Sequence, residues 1–156
     1  MKNRIPPPIV TLFFGLCIFF SQEYFQEFNL EFLTILSYIS YISGLSILVW
    51  AVRLFKKQNT TVNPIKIENA SSLVTSGIFK YSRNPMYLGM VLILLGLTFM
   101  FNLIGGIIFS LLFTMYITKF QIRPEEEVME RFFGTDFIKY KQNVRMWLWI
   151  KIKLPE

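Results

Sequence analysis

Arg83-Asn84-Pro85-Met86-Tyr87-Leu88-Gly89 sets polar, helix-starting residues directly against a long apolar run. An amide side chain suited to the N-cap precedes a proline, whose missing N–H and fixed φ fit the first helical turn. The pattern predicts a helix beginning at Pro85 with Arg83 beside it, and the apolar residues that follow place this start at a water–lipid boundary. Helix starts expose unpaired N–H groups with partial positive charge, so an anionic group is welcome there. The stretch reads as one wall of a binding site.

The rest of the chain supplies the lipid side of that boundary. Of its 156 residues 53% are hydrophobic, and 17 are phenylalanine, gathered in long runs with few charges. This is the composition of a membrane protein. The single cysteine, Cys17, sits inside an apolar run, which excludes an intrachain disulfide and suggests a buried thiol. Histidine is absent, which removes Ser-His-Asp catalysis, His-ligated metal and imidazole acid–base chemistry. No metal site is expected.

Four apolar runs predict an all-α, polytopic membrane domain over residues 1–156, with spans at about 5–22, 32–55, 85–101 and 103–122. The last two are divided only by Asn102, with Gly105 and Gly106 close behind, and read as a tight helical hairpin. In the second run Ser37, Ser40, Ser43, Gly44 and Ser46 form a small, polar edge suited to close helix contact. A polar segment, 56–84, lies between the second and third runs; its latter half interleaves Leu73, Val74, Ile78 and Phe79 with small residues, as a re-entrant or interfacial structure would. Residues 123–156 form a charged, aromatic tail, in which Gly134 ends one helix and Thr135-Asp136 caps another. Arg145-Met146-Trp147-Leu148-Trp149 suits interfacial anchoring.

All 16 basic residues fall on one side of this four-span arrangement, and the connection at 21–31 carries Glu23, Glu27 and Glu31 without a base. The positive-inside rule then places both termini and segment 56–84 in the cytoplasm. It also accounts for the net charge of +6 without nucleic acid as a partner.

A second group of polar residues opens the tail. Glu125, Glu126 and Glu127 follow Arg123-Pro124, where acids complement a helix dipole. Glu125 and Glu126 border the apolar stripe carried by Met129, Phe132 and Phe133, whereas Glu127 aligns with the solvated Glu130 and Arg131. Carboxylates near lipid are costly unless partnered, so Glu125 and Glu126 are singled out.

Taken together, LVTSGIFKYSRNPMYLG, a hairpin, and EExxxxxxFG with Tyr140 and Val144-Arg145 downstream resemble the isoprenylcysteine carboxyl methyltransferase and phospholipid methyltransferase superfamily over roughly residues 73–147. Arg83, Pro85, Tyr87 and Gly89 match the family segment Arg-His-Pro-x-Tyr-x-Gly. Asn84 takes the histidine position, where it can cap and hydrogen-bond but cannot titrate near neutrality. Glu125 and Glu126 match the family's paired glutamates, and Phe133-Gly134 its Phe-Gly; Phe137 stands where tyrosine is commoner.

The resemblance implies S-adenosylmethionine as methyl donor at the cytoplasmic helix ends and a lipophilic acceptor entering from the bilayer. It assigns Asn84, Pro85, Tyr87, Gly89, Glu125 and Glu126 to the cofactor, with Arg83 and Glu126 as the catalytic pair. Arg83 has two readings, toward the cofactor carboxylate or toward an anionic acceptor, and a glutamate would take the proton from an amine acceptor. Competing readings are an NADPH-dependent membrane reductase of related fold and a non-enzymatic assembly subunit using the serine edge. The sequence does not choose among a prenylcysteine carboxylate, a phospholipid amine and another hydrophobic acceptor.

Overall fold

A computed structural model describes residues 5–25, 30–57 and 72–148. The expectations attached to residues 1–4, 26–29, 58–71 and 149–156, among them the placement of Lys2, Arg4, Glu27, Lys66 and Trp149, lie outside the described residues.

The regular elements among the described residues are helical. They are α1 (Pro7–Ser21), a short 3-10 turn (Gln22–Tyr24), α2 (Glu31–Lys57), a second 3-10 turn (Gly77–Lys80), α3 (Pro85–Phe101), α4 (Leu103–Ile117), a π-turn (Thr118–Ile122) and α5 (Arg123–Asn143). Pro7 and Pro85 occupy first-turn positions, where a missing N–H costs nothing.

Two stretches, Glu31–Lys57 and Leu103–Asn143, are long and apolar enough to cross a membrane, and Pro85–Phe101 is a shorter apolar helix. Burial decides what these helices are for. Only 22% of the apolar window of α2 is covered by protein, whereas the core helix of a soluble domain would be mostly enclosed. Ile35, Ile39, Ile42, Leu45 and Val49 point outward along it, as do Leu12, Phe13 and Leu16 on α1 and Leu111 and Met115 on α4. An apolar belt of this extent needs lipid around it, and the chain is a membrane protein.

Helix α3 is the centre of the bundle, packed by α1, α2 and α4. Leu33, Ser37, Ser40, Gly44 and Ala51 form the buried face of α2. The hydroxyls of Ser37 and Ser40 donate to carbonyls of their own helix, Thr34 and Leu36, at 2.8 Å each. The small-residue edge therefore works by close approach rather than by hydrogen bonds across helices; Ser46, assigned to the same edge, faces outward. The closest approach is glycine on glycine: a Cβ at Gly44 would stand 2.8 Å from the Gly89 carbonyl oxygen, and one at Gly89 2.8 Å from that of Gly44.

The hairpin between α3 and α4 turns on Asn102. Its Nδ2 donates to Ile18 O and Ser21 Oγ, each at 3.0 Å, while its Oδ1 accepts from Gly106 N at 3.1 Å. One buried amide thus caps α4 and ties the end of α1 to the hairpin. Asn102→Leu is expected to lower stability by roughly 1–3 kcal/mol, because it strips partners from buried polar groups. A fall in the detergent-solubilised Tm would show this; an unchanged Tm would make the amide dispensable.

Beyond α4 the helix axis continues through the π-turn into α5, instead of ending at residue 122 and restarting at Pro124. Pro124 supplies the cause: it cannot donate to the Phe120 carbonyl one turn earlier, and its ring crowds that carbonyl. The chain widens instead, with Arg123 N reaching back five residues to Thr118 O. Thr114 and Thr118 hydroxyls bond to the carbonyls of Ser110 and Thr114 just before this point, a habit that bends helices. The break expected at Gly134 is present: two helical stretches of α5 meet there at a kink, with Gly134 at φ 50° and ψ −123°, a conformation that glycine alone adopts readily.

A second apolar cluster, Ala51, Val74, Ile78, Phe79, Phe137, Tyr140 and Val144, packs segment 72–82 and α5 against the end of α2. Gly77, at φ 59°, lies against Leu54 there. The start of α3 is held between this cluster and the core within the bundle.

Candidate functional site

The two polar groups of the sequence meet at one seam. Arg83, just before α3, directs Nε and Nη2 to the same oxygen of Glu126 in α5, at 2.9 and 2.7 Å. Both side chains are nearly covered, with 8% and 10% of their surfaces exposed. Charges this poorly solvated persist only when paired and hydrogen-bonded. The remaining guanidinium nitrogen donates to the carbonyls of Val144 and Lys141, and the Lys141 ammonium lies 4.0 Å from the second oxygen of Glu126.

The same segment fastens the tail by its backbone. Arg83 N donates to Arg145 O at 3.0 Å, and Ser82 Oγ and Asn84 Nδ2 both donate to Met146 O, at 3.3 and 3.1 Å. This corrects the reading of Asn84 as a side-chain cap. It holds the N-cap position, and its carbonyl accepts from Leu88 N, but no side-chain cap bond forms there. Its amide is drawn to the tail carbonyl, and the hydroxyl of Ser82 accepts from Asn84 N at 3.1 Å.

One turn into α3 the buried Tyr87 donates its hydroxyl to Glu125 Oε1 at 2.6 Å. Glu125 is half-buried, Glu126 buried and Glu127 exposed, the ordering that helical spacing predicts. Pro85 is fully buried at the helix start. Gly89 makes its close approach to Gly44 of α2, so it shapes the seam by packing.

Arg83, Asn84, Pro85, Tyr87, Glu125 and Glu126 therefore share one site, with Gly89 one layer behind. Sequence reasoning missed Ser82, Lys141 and the carbonyls of 141, 144 and 146. Backbone carbonyls carry no residue signature, and Ser82 is an unremarked serine until it is seen fully buried between two partners. Tyr140, noted only as part of a motif, donates to Phe79 O at 2.7 Å and locks α5 to the 3-10 turn.

Fold and site together define a helical membrane protein with a polar, charge-paired seam where α3 and α5 begin. The profile of the phospholipid methyltransferase family matches residues 32–136, which include both walls of that seam, and the chain belongs to this family. Protein-S-isoprenylcysteine O-methyltransferase of Schizosaccharomyces pombe is 36% identical over 75 residues, 46% of this chain and 30% of that protein. A Haemophilus influenzae protein described as uncharacterized is 40% identical over 63 residues, 40% of this chain and all of that protein. The chain thus matches under a third of the length of the fission-yeast enzyme. No solved structure matches it.

Proposed function

We propose that this protein transfers a methyl group from S-adenosylmethionine to a lipophilic acceptor at the cytoplasmic face of a membrane. The observation that carries the reading is the joining, inside the family match, of the Arg83–Tyr87 segment to Glu125 and Glu126. The donor set suits the cofactor: Glu125 offers a half-buried carboxylate to an ammonium or ribose hydroxyls, and the start of α3 at Asn84-Pro85 favours a carboxylate. When bound, S-adenosylmethionine supplies an electrophilic methyl group.

The residues of the chain do the holding. Tyr87 orients Glu125 through its hydroxyl. Arg83 and Glu126 are positioning residues, since each satisfies the other and together they fix the start of α3 against α5 and the tail. Water is excluded by the apolar cluster that includes Tyr87, Ile117 and Ile122 and packs on Met146 and Trp147. Proximity and dry surroundings supply much of what methyl transfer needs. With an amine acceptor a proton has to leave, and Glu125 is the carboxylate placed to receive it.

The same reading takes α1, α2, α3 and α4 as four spans with both termini cytoplasmic. Arg53, Lys56 and Lys57 end α2 and Arg83 precedes α3, on the side of the seam. The acceptor reaches the site from the lipid, and its class extends from a prenylcysteine carboxylate to a phospholipid amine.

Detergent-solubilised protein should be stabilised by S-adenosylmethionine, by about 2.7 kcal/mol at a hundredfold excess over Kd. NADPH should leave its Tm unchanged. Stabilisation by NADPH alone would establish the reductase reading instead, and stabilisation by neither would favour an assembly subunit.

A further inference from the structure

The joint between the second 3-10 turn, the start of α3 and the tail is made by bonds to backbone carbonyls. Tyr140 fastens α5 to Phe79 O, Arg83 N donates to Arg145 O, and Ser82 and Asn84 both reach Met146 O. These bonds bring Lys80, Lys139 and Arg145 to one end of the bundle, each within a residue of a bonded position, and all of them are exposed. Tyr81 follows Lys80 and Leu148 lies three residues past Arg145; these largely apolar side chains are 53% and 51% exposed.

The charges at this joint do not balance. Arg83 and Lys141 are answered by Glu126 and Glu130, whereas among the described residues Lys80, Lys139 and Arg145 form no ion pair. Asp136, one turn before Lys139, is a single acid against these bases. Segments 58–71 and 149–156 carry Lys66 against Glu68, and Lys151 and Lys153 against Glu156, so they bring no acidic surplus. A positive excess faces outward and attracts an anion from outside the chain.

The setting selects that anion. The joint packs on the end of α2 through the second apolar cluster, where Arg53, Lys56 and Lys57 mark the edge of the apolar belt. Bases interleaved with exposed apolar groups at such an edge suit a lipid headgroup. Its phosphate accepts from ammonium and guanidinium donors, while Tyr81 and Leu148 enter the acyl boundary. We propose that Lys80, Lys139 and Arg145 bind the phosphate of an anionic phospholipid of the surrounding bilayer. A headgroup shared by Lys80 and Arg145 clamps the tail to segment 82–84 from outside and so supports the Arg83–Glu126 pair. The inference rests on the membrane setting and not on methyl transfer.

Trp147, two residues beyond Arg145, makes the joint measurable. The full chain carrying Trp50→Phe is reconstituted in phosphatidylcholine vesicles, and its fluorescence is quenched by brominated lipids. Brominated phosphatidylglycerol should associate about fivefold or more tightly than brominated phosphatidylcholine, the factor that one base near an anionic surface is worth. Added salt should narrow the gap. Lys80→Gln/Arg145→Gln should bring the ratio close to one. Lys80→Arg/Arg145→Lys, which keeps the charges, should preserve it, as should Arg53→Gln/Lys119→Gln, which removes as many charges elsewhere. Equal quenching by the two lipids in the parent protein overturns the inference and leaves the methyltransferase reading standing. So does a ratio that survives in the neutral joint variant, or one that Arg53→Gln/Lys119→Gln abolishes as fully, for the attraction would then belong to net charge alone.

Discussion

Arg83→Met is expected to abolish methyl transfer and to destabilise the protein by about 3–5 kcal/mol, because it strands the Glu126 carboxylate in a buried seam. The ion pair is nearly covered, and Arg83 also holds the Val144 and Lys141 carbonyls. Glu126→Met should cost a similar amount by stranding the guanidinium. The double variant Arg83→Met/Glu126→Met separates architecture from chemistry. Two apolar side chains facing each other remove the uncompensated charge, so the double variant should recover much of the lost stability. Activity should stay low, since the tail carbonyls have lost their donor and the start of α3 its anchor. Thermal melts with methyl-transfer assays on membrane extracts check both parts. A double variant as unstable as the singles would remove the buried-charge account, and a fully active one would remove the positioning role.

Gly89→Leu should also destabilise the protein, by a different route. An added Cβ would stand 2.8 Å from the Gly44 carbonyl oxygen and 2.8 Å from Leu48 Cγ. Leu48 can turn aside but a helix backbone cannot, so α2 and α3 must separate. Overpacking of this kind costs about 1–3 kcal/mol or more. It should reach the site, because Tyr87 lies two residues away on the same helix. Gly134→Ala is an informative contrast: no atom stands within 4 Å of the added carbon, so its cost is conformational alone. Gly89→Leu protein that keeps wild-type Tm would show that the glycine contact is not tight.

Much of the fold was legible for simple reasons. Runs of apolar residues without charge have few places to be other than lipid, and Asn102 between two of them leaves only a reversal of direction. The ordering of Glu125, Glu126 and Glu127 from half-buried to buried to exposed follows from helical spacing. Pro124 was harder to read. At a helix start a proline is silent, and within a continuous helix it forces a π-turn; the choice depends on whether α4 and α5 share an axis, which is settled by packing.

The sequence alone determined the membrane setting, the helical class and the two polar groups that make the site, because composition, periodicity and charge placement act locally. Only the tertiary structure decided how those groups spend their hydrogen bonds. Arg83 turns to Glu126 and the tail carbonyls, Asn84 turns from its own helix to Met146 O, and Gly89 serves α2. Each of these partners is distant in sequence. A donor in a low-dielectric seam goes to whichever acceptor the fold brings within reach, and that acceptor is often a backbone carbonyl no residue type announces.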